Sequence, residues 1–126
     1  MTTTAPFLFG PRTYDTNHVF YARLSSEIYT QSQLLEALYY VLWFPGYFGF
    51  NWNALFDCLK DFHWVKERVV VLVHDGLPKL SNDELKIYLE ILRDAVIAWG
   101  ATDEHQLEVV FDESDRERVI QILNNM

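Results

Sequence analysis

The 126-residue chain carries 18 Asp and Glu against 10 Lys and Arg, a formal charge of −8, with a pI of about 4.8. That balance repels a phosphate backbone, which argues against direct nucleic-acid binding and for a basic protein partner met by electrostatic steering. Half the residues are hydrophobic, enough for one core, and no apolar run approaches the roughly 20 residues of a membrane-spanning helix.

The single cysteine, Cys58, has no internal partner for a disulfide, so a reducing cytoplasm is the expected setting. Met1 to Gly10 offers neither a basic stretch nor a long apolar one, and no signal peptide is expected there. Residues 1–16 show no clean period and read as an irregular arm. His18 to Leu24 is rich in β-branched and aromatic residues and predicts a first strand. Thr30-Gln-Ser-Gln33 fits a capping box, and Leu34, Leu35, Leu38, Val41 and Leu42 follow at helical spacing. Pro45, Gly46 and Gly49 then break the chain.

Asn51 is a good N-cap for a second helix whose apolar face holds Trp52, Leu55, Leu59 and Phe62. The continuous apolar run Val69 to Val73 predicts a central strand buried on both faces of a parallel sheet. Pro78 precedes a second capping box, Ser81-Asn-Asp-Glu84. The long helix behind it sets Leu85, Tyr88, Leu89, Leu92, Ala95, Val96 and Trp99 on one side, with Gly100 as its expected stop. Gln106 to Asp112 predicts a third strand, and Ser114-Asp-Arg-Glu117 a cap for a short final helix carrying Val119, Ile120 and Leu123. This order predicts an α/β fold: a three-stranded parallel sheet packed with helices, β-α-α-β-α-β plus a C-terminal helix. With no repeat or linker, residues 1–126 read as one domain, 113–126 being a C-terminal extension.

Phosphate-binding, dinucleotide, zinc-protease and nucleophile-elbow motifs are all missing from the sequence. His18, His63, His74 and His105 are scattered without metal spacing and read as surface or strand-edge histidines. No metal and no cofactor are expected, and a small-molecule ligand is disfavoured. Cys58 falls beside Ala54 and Leu55 on the helical wheel and reads as a packed thiol. Asp57 and Asp61 lie four apart on one helix face, which reads as solvated; the catalytic alternative is a small hydrolase using Asp57 with His63.

Phe44 to Leu59 is the unusual stretch. A short interhelical connection does not need three aromatics, Tyr47, Phe48 and Phe50, around its glycines. Aromatic anchors beside carboxylates are what a protein-binding hot spot uses. In the helix that follows, Asn53, Asp57, Lys60 and Asp61 share one face, with Phe56 at its border.

Pro45-x-Tyr47-x-Gly49-x-Asn51-Trp52-Asn53-Ala54-Leu55-Phe56-Asp57-Cys58-Leu59 resembles the central motif of the barstar family, intracellular inhibitors of ribonuclease. The resemblance runs roughly from His18 to Asp112. It implies no enzymatic activity, and an inhibitor or immunity protein that plugs the active site of a basic ribonuclease toxin. By that resemblance Asp57 takes the place of a substrate phosphate and Tyr47 packs on a catalytic histidine. Phe48 is a second aromatic, and Gly49 lets the loop approach closely. The family's third-helix glutamate aligns with Asp94. Asn53 is neutral where the family has a carboxylate, Phe56 replaces a tryptophan, and Phe50 stands at an acidic loop position. The alternative is a regulatory interaction module of the same fold with a non-nuclease partner.

Overall fold

Five consecutive apolar β-formers leave a strand no solvated face. In the computed structural model, which describes residues 6–124, Val69–His74 is accordingly an interior strand. The elements are β1 (Leu8–Phe9), β2 (Val19–Leu24), α1 (Gln31–Val41), α2 (Trp52–Leu59), β3 (Val69–His74), α3 (Asn82–Ala98), β4 (Gln106–Phe111) and α4 (Arg116–Asn124). The sheet order is β1-β4-β3-β2 and every pairing is parallel. Val70, Val71 and Leu72 are fully buried between β2 and β4, as expected for the central strand.

The sheet has four strands, not three. Leu8 and Phe9 sit in register with Val110 and Phe111, and the Gly10 N–H extends the ladder to the Phe111 carbonyl at 3.0 Å. The arm is therefore anchored, by Phe7 and Phe9 rings packed on Phe111. Gly10 then turns away at φ +92°, a conformation only glycine takes freely. A two-residue strand is too short to show a period, which is why the sequence reads as irregular there. Residues 1–5 of the expected arm and residues 125–126 of the extension lie outside the described residues.

Alternation along the strands divides the sheet into two faces. Ala22, Leu24, Val70, Leu72, Leu107, Val109 and Phe111 join the helices in the main core. On the other face the arm crosses the sheet, Tyr14 donating to Glu108 at 2.9 Å and packing on Tyr21. Burial on both faces, expected for the whole run, holds for Val70 to Leu72 only: Val69 and Val73, on that face, are partly buried.

The helix starts follow their caps. Thr30, Asn51 and Ser81 each accept the N–H of the residue three along, and Ser81 with Glu84 completes a capping box. Three local expectations need correction. The last helix is capped through Asp112 and a 3₁₀ turn at Glu113–Asp115, not from Ser114, so Ile122 rather than Ile120 joins Val119 in the core. Phe62 lies beyond α2, at φ +52°, its ring fully buried. His74 and His105 are interior, not peripheral: His74 is 2% exposed and His105 packs between Phe62 and Trp99.

Candidate partner-binding site

Three backbone features shape the loop between α1 and α2. Pro45 opens a turn closed by the Phe48 N–H on the Pro45 carbonyl at 3.0 Å, which throws Tyr47 outward. Phe48 goes the other way. It is 4% exposed, with its ring 4.8 Å from Phe44 and 4.8 Å from Phe50. The expectation that Phe48 presents a second aromatic to a partner is therefore corrected, because the short turn alternates its side chains between water and core. Gly49 abuts the cap of α2: a Cβ there would come 3.1 Å from Asn51 Nδ2, an amide that donates to the Gly49 carbonyl. Any side chain at 49 thus crowds the residue that starts the helix.

On α2, Leu55, Cys58 and Leu59 face the core while Asn53 and Asp57 face water and Phe56 is half-buried. Lys60 Nζ stands 4.0 Å over the Phe56 ring. Asp61 does not share the helix face with Asp57, because α2 ends at Leu59 and Asp61 sits in the following turn. There its carboxylate holds His63, through Nδ1 at 2.9 Å and the backbone N–H at 3.2 Å. The hydrolase pairing of Asp57 with His63 is thus replaced by an Asp61–His63 pair. Tyr47 lies near this turn: partial desolvation, and then the Asp61 charge, push its hydroxyl pKa up.

The candidate carboxylates differ in what already holds them. Asp61 has His63, and Asp94 has the Arg93 guanidinium at 3.0 Å. Among the described residues, no side chain pairs with the exposed Asp57 carboxylate. Asp57 lines a groove of about 660 Å³ with Lys60, Ala98, Trp99, Asp103 and Glu104. Asp94 lies one helical turn before Ala98, on the same helix.

Asp103 and Glu104 escaped the sequence reading, since they follow the end of α3 in a turn that carries no motif. The signal for their position is Trp99. Its indole N–H donates to the Leu59 carbonyl at 3.0 Å, tying the end of α3 to the end of α2. Tyr40 and Trp43 were also not read as surface, yet both are exposed, as is the loop aromatic Phe50. No group of three or more potential metal ligands occurs among the described residues, and none of their helices is long and apolar enough to cross a membrane.

Cys58 is buried under this surface. Burial first, and then the charges of Asp61 and Asp57, push its thiol up to about 11, so it stays protonated at neutral pH. Cys58→Ala is expected to cost about 1 kcal/mol in denaturant unfolding and to leave partner binding unchanged. Loss of binding by a folded Cys58→Ala protein would place the thiol in the interface.

The family model described as Barstar (barnase inhibitor) matches residues 17–122. The match spans β2 to α4 and so reaches past the region in which the motif resemblance was read. Among curated proteins none matches the chain.

Proposed function

The chain belongs to the barstar family, and from that premise we propose that it inhibits a basic ribonuclease by occupying its active site. Asp57 stands in for a substrate phosphate, and Tyr47 is the aromatic anchor beside it. Phosphate sites are clusters of Lys, Arg and His. A carboxylate seated there gains several charge-assisted hydrogen bonds. The observation that carries the reading is the free Asp57 carboxylate: it is exposed, has no internal partner to give up, and sits on a capped helix.

Asp61 and Asp94 act at the rim, since each already holds a cationic or protonatable neighbour. Asn53 lines the same helix face, and Gly49 keeps the loop close to the cap. In this reading the target is a toxin to the cell that makes it, and the inhibitor acts in the cytoplasm, where Cys58 remains a thiol.

The test is RNA cleavage by purified barnase, titrated with the purified chain. Stoichiometric loss of cleavage is expected, with no cleavage by the chain alone. Barnase activity that is unchanged by an excess of the folded chain would overturn the proposal.

A further inference from the structure

Two aromatic side chains outside the motif stand in water. Trp43 is 69% exposed and Tyr40 66%. The Trp43 backbone lies at φ +56°, which glycine adopts freely and a bulky residue adopts under strain. Helix geometry explains the backbone. The Phe44 N–H donates to the Tyr39 carbonyl at 3.0 Å and the Trp43 N–H to the Tyr40 carbonyl at 3.4 Å, a Schellman ending for α1. Its left-handed position normally belongs to glycine. The tryptophan ring recovers little, with an edge contact to Phe20 at 5.2 Å between centroids.

The same surface runs on to the candidate site. Tyr40 meets Tyr39 at 5.2 Å, Tyr39 meets Phe50 at 5.2 Å, and Phe50 belongs to the loop that carries Tyr47. Phe50 is likewise exposed and left-handed, at φ +51°. Between Arg23 and Lys60 the sequence holds Glu27, Glu36 and Asp57 but neither Lys nor Arg, and Glu36 stands one turn before Tyr40 on α1. Glu27 is paired with Lys79, whereas Glu36, the carboxylate beside Tyr40, forms no ion pair among the described residues; exposed aromatic faces beside such a carboxylate complement a positively charged partner surface.

We propose that Trp43 and Tyr40 form a second docking point for the inhibited ribonuclease, taking an Arg or Lys outside its catalytic cleft by cation–π stacking. The proposal rests on the inhibitor reading above, and it explains why a strained, exposed tryptophan stands where glycine would fit.

The test is Trp43→Gly, with purified barnase as the probe and Asp57→Ala as the reference. Because glycine relieves the left-handed residue, the thermal midpoint is expected to rise by about 2–4 °C. The Kd is expected to rise at least about tenfold, mainly through faster dissociation. Tyr40→Ser should weaken binding less, and Trp43→Phe should retain most of it. Wild-type affinity in Trp43→Gly, alongside lost affinity in Asp57→Ala, would remove the second docking point and leave the inhibitor reading standing. If neither change alters the Kd, both readings fall. A lowered thermal midpoint in Trp43→Gly would show that the ring serves the fold, and would also overturn the proposal.

Discussion

Asp57→Ala is expected to weaken ribonuclease binding by about 2–5 kcal/mol or more, a range drawn from truncations of buried charge pairs in general, those of barnase and barstar among them. Removing the carboxylate leaves the partner's cations buried against one another, so the loss exceeds the value of the contacts themselves. The effect should appear as faster dissociation. The free chain should hardly notice, because Asp57 is exposed and unpaired, and surface changes of that kind fall within about 0.5 kcal/mol. Asp61→Asn should cost less and act on association, with an effect that fades as salt rises. Binding kinetics of both variants at low and high ionic strength check this. Wild-type binding by a folded Asp57→Ala protein would end the phosphate-mimic mechanism.

The second large effect is acid destabilisation through His74. The buried ring donates its Nδ1–H to the Val110 carbonyl at 3.1 Å, which leaves Nε2 to accept the Tyr88 hydroxyl at 2.7 Å. Both bonds suit a neutral imidazole, and the Phe111 ring stacks on it at 4.3 Å. Burial pushes the pKa from 6.5 to about 4, although the Val110 carbonyl and the neighbouring Asp75 charge pull it back up. The unfolded chain therefore takes up its proton near pH 6.5 while the folded chain refuses it until about pH 4. The stabilisation is complete above pH 6.5, declines as pH falls toward 4, and is constant below that. The total loss is about 3 kcal/mol. Exposed carboxylates held low by their neighbours, such as Asp15, Glu27 and Glu113, lose their contribution as pH falls through their ordinary values of 3.8 and 4.5 and further down, at the acid end of this window and beneath it. Urea unfolding between pH 4 and 7 should show the slope in the wild type. A His74→Gln protein, less stable at neutral pH, should lack it. A variant retaining the wild-type slope would assign the effect elsewhere.

Much of this molecule was legible because local chemistry and tertiary context agree. Val69–Val73 has no polar position, so it had to be interior, and Thr30, Asn51 and Ser81 mark helix starts through side chains whose geometry is local. The unread parts depend on partners distant in sequence. Leu8 and Phe9 form a strand only because Val110 and Phe111 offer them an edge. His74 looks like a strand-end histidine until Tyr88, on another element, supplies its hydroxyl. Within the candidate site, the motif located Tyr47 and Asp57 but not the division of the aromatics. Phe48 turns inward and Phe50 outward because of the turn at Pro45 and a left-handed backbone at 50, and neither is visible in composition.

The pairing of β1 with β4 has a consequence for how the chain is made. Leu8 and Val110 meet across about a hundred residues, so β1 waits for all of β2, β3 and the helices between them before it gains its place in the sheet. Contacts of such long sequence separation close late and slowly. The loop that carries Tyr47 and the helix that carries Asp57 lie between β2 and β3, whose pairing closes a much shorter loop. During synthesis the binding half can therefore take shape while β4 is still inside the ribosome, and the edge of β3 that will receive β4 stays open until β4 emerges.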